Sequence, residues 1–451
     1  MSVLLISTYD MGRQPFGLAS PAAWLREAGV EVVCADLAKE RLAQDAVEAA
    51  SLIAFFLPMH TATRLALPVI DKVRRINPGA RLVAYGLYAP LNDALLRERG
   101  VDEILGGEFE AALVEAALKG WTTTETPSPE PRAPSPGIPR LTFRVPLRDG
   151  LPPLSQYASL QDGDERRIAG YTEASRGCKH RCRHCPIVPV YNGRFRIVSP
   201  DVVIADARAQ VAAGARHITF GDPDFFNGIR HAREVVERFA RECPGVTYDV
   251  TIKIEHLLKH ADALPLLSAT GCAFVTSAVE SLDDHVLERL EKGHTRGDFE
   301  RAVSLCRDAR LPLSPTFVAF TPWTTIDGYL HLLHEIDRLG LVDHVSPIQY
   351  AIRLLVPQGS RMLELADMRQ VAGSFDPLSL THPWRHADPR VDALQELMAR
   401  VVGVRLNASR REIFDRVWND AHTFAASTAP ARTQPVVPRA TVRYLNEPWY
   451  C

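Results

Sequence analysis

Long hydrophobic runs are missing from this chain of 451 residues. No stretch reaches the roughly 18 uncharged apolar residues that a membrane-spanning helix needs. The first residues, MSVLLISTYD, lack the basic segment and extended apolar core of a secretory signal and are instead typical of a buried strand. We therefore expect a cytoplasmic protein without a membrane partner.

Clustered positive charge is also scarce. The formal net charge is −2, and no run of consecutive Lys or Arg residues is longer than two. Proteins that bind a nucleic-acid backbone usually carry a basic patch or stripe. We therefore expect no nucleic-acid partner and favour a small molecule as the substrate.

Cysteines are few, and three of the eight lie together within residues 178–185. This distribution does not indicate a disulfide framework, which agrees with a reducing compartment. Four further cysteines lie within or beside apolar segments and are interpreted as small buried residues: Cys34, Cys243, Cys272 and Cys306.

Residues 1–121 alternate short apolar runs with amphipathic segments. Strands that alternate with helices predict a parallel, doubly wound sheet. The residues that follow, 122–160, are rich in Pro, Ser and Thr and predict an exposed linker. The candidate strands of the first domain are residues 3–7, 30–37, 51–58, 80–86 and 102–107, with helical patterns over 20–29 and 62–76.

A second β/α series occupies residues 161–360. Its six units predict a partial (β/α)6 barrel with the chemistry at the carboxyl ends of the strands. Residues 361–451 are predicted to be mostly helical and to end in a Pro-containing tail. The candidate strands of the barrel are residues 168–175, 217–222, 246–255, 272–280, 312–320 and 344–351.

Cys178, Cys182 and Cys185 have the spacing C-x3-C-x2-C directly after a predicted strand. Three thiolates on one short loop can each bind one iron of a cubane 4Fe–4S cluster, which leaves the fourth iron open to hold a reactant. One alternative is a zinc site completed by His180 or His184. The other alternative is three buried core cysteines, which the polar residues between them disfavour.

This motif and its surroundings resemble the radical S-adenosylmethionine (SAM) superfamily, in particular the branch with an amino-terminal cobalamin-binding-like domain. The resemblance spans roughly residues 1–360. It implies that the amino and carboxylate groups of SAM chelate the fourth iron. It also implies that an electron, supplied by a donor such as flavodoxin or ferredoxin, cleaves a carbon–sulfur bond of SAM.

Further residues are assigned to SAM by the same resemblance. FGDPDFF places Gly221 and Asp222 at the family's glycine-containing SAM motif, and GCAFVTSAVESLDDHVLERLEKGHT places Glu280 and Ser281 beside the ribose or methionyl part. An acidic residue at the carboxyl end of a strand can also accept hydrogen bonds from ribose hydroxyls on general grounds. Ordinary rim charge is the alternative for each residue. Candidate cations for the SAM carboxylate are Lys253 and Arg353.

The loop of residues 7–20 corresponds to the family's cobalamin motif, D-x-H-x-x-G. Asp10 is present, but Gly12 occupies the position of the histidine that would bind cobalt. Either cobalamin binds without a protein ligand to cobalt, or the domain packs on the barrel and cobalamin is not required. The missing histidine favours the second alternative.

The chain ends in Trp449, Tyr450 and Cys451. This tail resembles a group of radical SAM proteins that end in Cys-Cys or Cys-selenocysteine and a short acidic tail, the CUAEP/CCAEP group. The resemblance raises the alternative that the chain stops where selenocysteine would stand, and it implies a catalytic role for Cys451. Soft chalcogen ligands suit a thiophilic metalloid such as arsenite. The other interpretation is a disordered, unimportant terminus.

Together these features predict a radical SAM transferase. In the favoured reaction, a 3-amino-3-carboxypropyl group passes from SAM to a thiol-bound metalloid. The alternative within the family is a cobalamin-dependent methyltransferase or an enzyme that applies a 5′-deoxyadenosyl radical to a small metabolite. The alternative of another class is a non-catalytic metal-binding scaffold.

Overall fold

The computed structural model describes residues 2–119, 138–403, 408–428, 430 and 443–446. Its first unit is a parallel sheet in the order β2-β1-β3-β4-β5, an order found in flavodoxin-like folds. All five strands predicted for this domain are confirmed. They are β1 Ser2–Ser7, β2 Glu31–Asp36, β3 Leu52–Phe56, β4 Arg81–Tyr85 and β5 Glu103–Leu105.

Helices cover both faces of this sheet. Along β1, Val3 and Leu5 belong to one hydrophobic cluster, whereas Leu4 and Ile6 belong to another. Alternate strand residues point to opposite faces, so β1 is buried on both sides. The helices are α1 Phe16–Glu27, α2 Gln44–Ala49, α3 His60–Ile76, α4 Asp93–Glu98 and α5 Glu110–Leu118, with a 3-10 turn at Pro90–Asn92.

The second unit is a seven-stranded sheet in the order β13-β12-β11-β10-β7-β6-β14. Strands β7 and β10 to β13 are parallel, and β6 and β14 are antiparallel additions at one edge. The predicted partial barrel is therefore confirmed. The strands are β6 Ser159–Asp162, β7 Glu165–Thr172, β10 His217–Phe220, β11 Thr247–Thr251, β12 Cys272–Glu280, β13 Leu313–Phe317 and β14 Tyr444–Asn446.

A separate two-stranded hairpin, β8 and β9, lies between β7 and α7 in the chain. Helices then connect the parallel strands, as expected for a β/α barrel. The hairpin strands are β8 Ser175–Gly177 and β9 Phe195–Ile197. The helices are α6 Val188–Tyr191, α7 Pro200–Ala212, α8 Ile229–Glu242, α9 Ile254–Lys259, α10 Leu264–Ala269, α11 Asp284–Arg289, α12 Arg296–Asp308 and α13 Ile326–Arg338.

The strand predicted at residues 344–351 is wrong. A 3-10 turn occupies Pro347–Tyr350, and the sixth barrel position is reduced to one parallel bridge between Phe320 and Arg353. Proline cannot donate a ladder hydrogen bond, which disfavours a strand here. The side chain of Gln349 instead accepts the backbone N–H of Phe317 at 2.8 Å, so an amide oxygen pairs with β13 where strand backbone was expected.

The carboxyl-terminal region is mostly helical, as predicted. Phe414, Val417 and Trp418 join the hydrophobic core of the barrel, so this region is part of the same packed body. Cys451 lies outside the described residues. The helices are α14 Ala366–Val371, α15 Pro389–Gly403 and α16 Arg410–Phe424. The other 3-10 turns are Leu154–Gln156, Phe225–Gly228, Ala261–Ala263 and Arg361–Glu364.

Part of the segment predicted as an exposed linker packs between the two sheets. Arg148 pairs with buried Asp206 on α7 at 2.8 Å and donates to Gln14 in the first domain at 2.8 Å. Tyr157 donates to Asp36 at the end of β2 at 2.7 Å. Residues 138–160 therefore join the two sheets, while residues 122–137 lie outside the described part of the chain. In the described part, no helix is long and apolar enough to cross a membrane.

Candidate active site

The cysteine loop is held by the β8–β9 hairpin at the carboxyl edge of the barrel. Gly177 ends β8 immediately before Cys178 and has a φ of +76°. A Cβ there would come within 2.5 Å of the carbonyl oxygen of Arg194, so glycine is required at this position. Cys178 and Cys182 are buried, and Cys185 is partly exposed.

The spacing of the three sulfurs argues against zinc. One zinc ion holds its sulfur ligands at about 2.3 Å, so two such ligands lie no more than about 4.6 Å apart. Among the described residues, one group of three potential ligand atoms lies within 4.8 Å of one another, and it contains no cysteine. Separated sulfurs fit a cubane cluster, in which each thiolate binds a different iron. The residues present therefore fit the 4Fe–4S cluster that the sequence predicts.

Two buried lysines supply positive charge beside these thiols. Lys253, just after β11, places its Nζ 3.8 Å from Cys182 Sγ. Burial disfavours the charged form of Lys292, but Glu280 and the neighbouring thiolates raise the pKa of Lys292 above its usual value. Burial also raises the pKa of Cys185 to about 12, so metal binding must displace the proton from this thiol.

Glu280 connects the barrel to the cysteine loop. It lies at the end of β12 with a φ of +70°, an uncommon conformation for a residue other than glycine. Its Oε1 lies 3.1 Å from Nε2 of His184 and 3.3 Å from Nζ of Lys292. Burial raises the pKa of Glu280, but Lys292 and His184 outweigh it and hold this pKa at about 2. Glu280 is therefore a buried carboxylate with two partners.

Asp222 has its partners within the protein. It accepts the backbone N–H of Ala174 at 3.0 Å and the hydroxyl of Ser175, which ties the end of β10 to the start of the hairpin. Burial raises the pKa of Asp222 to about 7. A Cβ on the neighbouring Gly221 would overlap the ring of Tyr171, so packing within the barrel alone requires this glycine.

The raised pKa of Asp222 predicts a pH dependence of stability. A carboxyl whose pKa is near 7 when folded and near 4 when unfolded stabilises the fold at low pH, and this contribution is lost as the pH rises through 7. Asp222→Asn should reduce the fall in unfolding free energy between pH 6 and pH 8 by about 1.4 kcal/mol. Urea denaturation at both pH values measures this change. The exposed Asp164→Asn is the control, and an unchanged slope in Asp222→Asn would contradict the assignment.

Two predicted SAM residues have other partners. Ser281 accepts the backbone N–H of Asp283 at 3.1 Å in the turn before α11. Arg353 pairs with Asp392 at 2.7 Å, and its guanidinium lies 3.5 Å from the ring centroid of Trp384. The structure therefore brings Lys253 and Glu280 to the cysteine loop, whereas Arg353 is bound to the carboxyl-terminal region.

Sequence reasoning missed Lys292 and His294. His294 is buried, neither of its ring nitrogens has a hydrogen bond among the described residues, and burial together with Lys292 lowers its pKa to about 4. Both residues lie in the segment LEKGHT, at the end of the run that identified Glu280. The signal was therefore present as two basic side chains in the short turn after α11.

A cavity of about 150 Å³ lies between the two sheets and extends to the cysteine loop. Gly177 and Ile187, which flank the loop, form part of its wall. The remaining wall includes aromatic and charged residues: Phe16, Phe56, Phe109, Tyr191, Glu173 and Arg176. The arrangement provides a small chamber next to the cysteines.

The loop that corresponds to the cobalamin motif is packed against its surroundings. The ring of Phe56 packs directly against Gly17, and Tyr85 donates to the carbonyl of Gly17 at 2.8 Å. Gly12, at the position of the cobalt-binding histidine, accepts the backbone N–H of Ala158 at 2.8 Å. The loop is therefore packed on the segment that leads into the barrel.

Residues 172–328 match the sequence profile of the radical SAM superfamily. The chain contains a radical SAM domain. Domains of this superfamily use a 4Fe–4S cluster and SAM, as the cysteine motif predicted. The matched residues include the cysteine loop, Lys253 and Glu280.

Curated proteins similar to the chain are methylthiotransferases. The chain is 26% identical over 216 residues to tRNA-2-methylthio-N(6)-dimethylallyladenosine synthase of Desulfosudis oleivorans, and this alignment covers 44% of each protein. It is 23% identical over 188 residues to ribosomal protein uS12 methylthiotransferase RimO of Geobacter sulfurreducens, covering 38% of this chain and 41% of the relative. The chain thus spans less than half the length of these relatives.

Solved structures share the fold over nearly the whole chain. The cobalamin-dependent radical SAM enzyme OxsB has a TM-score of 0.69 at 13% identity, covering 94% of this chain and 71% of OxsB. The radical SAM methyltransferase TsrM of Kitasatospora setae has a TM-score of 0.62 at 17% identity, covering 91% of this chain and 82% of TsrM. At these identities the likeness concerns the fold, and it confirms the predicted architecture.

Proposed function

We propose that this protein is a radical SAM transferase that acts on a small molecule in the chamber between the two sheets. The observation that carries the proposal is the position of Cys178, Cys182 and Cys185. They lie on a hairpin loop at the carboxyl edge of the barrel, beside buried cations and next to the chamber. A 4Fe–4S cluster held there by the three cysteines would supply the electron that cleaves a carbon–sulfur bond of SAM.

The residues around the loop have distinct roles in this proposal. The ammonium groups of Lys253 and Lys292 offset the negative charge of the thiolates. Glu280 fixes the loop through His184. Only a small part of a substrate as large as tRNA could enter the chamber, so we favour a small metabolite as the substrate.

The proposal is tested by anaerobic turnover of the reconstituted protein with SAM and a one-electron reductant. The nucleoside product identifies the bond that breaks. Recovery of 5′-deoxyadenosine indicates a 5′-deoxyadenosyl radical, whereas 5′-methylthioadenosine indicates transfer of the aminocarboxypropyl group. A reconstituted 4Fe–4S protein that forms neither nucleoside would overturn the enzymatic proposal and favour the metal-binding scaffold.

Cobalamin should not be required for this activity. Because Gly12 stands where the cobalt-binding histidine would be, added cobalamin should change the rate of SAM cleavage less than about twofold. The measurement compares turnover of cobalamin-free protein with and without the added cofactor. A rate that depends strictly on cobalamin would instead support the methyltransferase alternative.

The direction of β14 favours transfer to an acceptor held by the tail. β14 is antiparallel to β6, which is antiparallel to β7, so β14 runs in the same direction as β7. β14 therefore points toward the edge of the sheet that carries the cysteine loop. Five residues, 447–451, follow Asn446, and a chain of that length reaches at most about 17 Å.

Removal of residues 447–451 tests whether Cys451 presents a thiophilic acceptor such as arsenite. The truncated protein should keep its cluster and cleave SAM without coupling, but its yield of transfer product with arsenite should fall at least about tenfold. Product yield per SAM consumed is the measurement. Cys451→Ser is the matched variant, since it removes the thiol and keeps the chain length. Equal yields from all three proteins would exclude a role for the tail.

A further inference from the structure

Three potential metal ligands from separate elements converge behind the cysteine loop. His180 lies between Cys178 and Cys182, Asp224 follows β10, and His256 is on α9. Their atoms Nε2, Oδ2 and Nδ1 lie within 4.8 Å of one another. This group is separate from the three cysteine sulfurs and has no role in the function proposed above.

These three atoms have no hydrogen bond to a described residue outside the group. The side chain of Asp224 is fully buried, and that of His256 is 6% exposed. Asp224 Oδ2 lies 2.6 Å from His256 Nδ1 and 3.5 Å from His180 Nε2, so among the described residues this buried oxygen is paired only with the two imidazoles. One cation bound between the three atoms would serve as a common partner for all of them.

Neighbouring groups fix the orientation of the three ligands. Asp224 Oδ1 accepts the backbone N–H groups of Phe226 at 3.3 Å and Lys253 at 3.4 Å, which leaves Oδ2 for another partner. His180 Nδ1 lies 3.5 Å from Glu255 Oε2. A carboxylate beside the second ring nitrogen is the usual outer partner of a metal-bound histidine.

We propose that His180, Asp224 and His256 bind one divalent transition-metal ion in addition to the cluster. Two imidazoles and one carboxylate suit Zn²⁺ or Fe²⁺, whereas Mg²⁺ and Ca²⁺ prefer oxygen ligands. His180 is 16% exposed, which leaves a side open for water as a further ligand. Because His180 lies within the cysteine loop, the ion fastens this loop to β10 and α9.

The test uses the full chain with its cluster reconstituted, incubated with Zn²⁺, desalted and analysed for metals. We expect one zinc per chain beyond the four irons of the cluster. Zinc K-edge X-ray absorption should show nitrogen and oxygen neighbours at about 2.0–2.1 Å and no sulfur at 2.3 Å. No bound zinc, or a sulfur shell around it, would overturn the proposal.

Variants locate the ion. Asp224→Asn and His256→Gln should each weaken zinc binding at least a hundredfold, while iron content and cluster absorbance show that the variants fold. The half-exposed Glu255→Gln should weaken zinc binding about 10–100-fold, the range for outer partners. The control is His382→Gln, a partly exposed histidine whose ring nitrogens contact Gly373 and Gln358. Wild-type affinity in both Asp224→Asn and His256→Gln would show that the three residues form only a hydrogen-bonded cluster.

Discussion

Replacing Cys178, Cys182 or Cys185 with Ala should abolish reductive cleavage of SAM. Each replacement removes one iron ligand from a loop that offers three, and a cluster with two protein ligands is not retained at a barrel edge open to solvent. We expect residual activity below about 1% of wild type, a larger loss than the 10–100-fold effect of an outer-shell change. Iron and sulfide content, the cluster absorbance and the rate of nucleoside formation measure the result.

A matched control is available in the first domain. Cys34 lies at β2, far along the chain from the loop, and is partly exposed. Cys34→Ala should keep the cluster and full activity. Three single variants of the loop cysteines that all turn over at the wild-type rate would refute the assignment. Zinc bound by sulfur ligands of the loop in the wild-type protein, with no iron, would support the scaffold alternative.

The sequence was most informative where the pattern was local. In β1, apolar residues on both faces of a short run indicate a strand covered on both sides, and the structure has such a strand. The segment 344–351 also contains apolar residues, but Pro347–Tyr350 within it form a 3-10 turn. In this segment the side chain of Gln349 accepts a hydrogen bond from the backbone of Phe317 in β13. The two residues are 32 positions apart in the chain, so a local sequence pattern does not reveal this contact.

The candidate site shows the same limit. The spacing of the cysteines and the position of Glu280 at a strand end could be predicted, because both are local features. The partners of Glu280 could not be predicted, because His184 comes from a loop 96 residues earlier in the chain. Arg353 shows the opposite case, since α15 supplies Asp392 as its partner and draws it away from the cysteine loop. The role of a charged residue at the barrel rim can therefore be assigned only when the residues around it are known.

Lys292→Met should be the most destabilising single change among the charged residues of the site. The variant leaves Glu280 buried and charged with only His184 beside it. Removing one partner of a buried ion pair typically costs about 3–5 kcal/mol, because the other charge stays buried without compensation. We therefore expect a loss of about 3 kcal/mol in unfolding free energy, a looser cysteine loop and a large loss of SAM cleavage.

The double variant separates the ion pair from a direct role of Glu280 in SAM binding. Glu280→Gln removes the charge and keeps the shape, so combining it with Lys292→Met should restore about 2 kcal/mol of the lost stability. If the Glu280 carboxylate also binds SAM, SAM affinity should be low in Glu280→Gln. It should also stay low in the double variant, although the stability of that protein is restored. Urea denaturation gives the coupling energy, and equilibrium binding gives the SAM affinity.

The exposed pair Arg97 and Asp93 on α4 provides the comparison for this cycle. These side chains are about half exposed and lie 2.7 Å apart, so their coupling should not exceed about 0.5 kcal/mol. If the Glu280 and Lys292 replacements were additive, as for two independent sites, the pair would have no structural coupling. Glu280 would then act independently of Lys292, through SAM or through its contact with His184. A coupling of about 2 kcal/mol with unchanged SAM affinity would assign Glu280 to the loop and leave the ribose to another residue of the barrel edge.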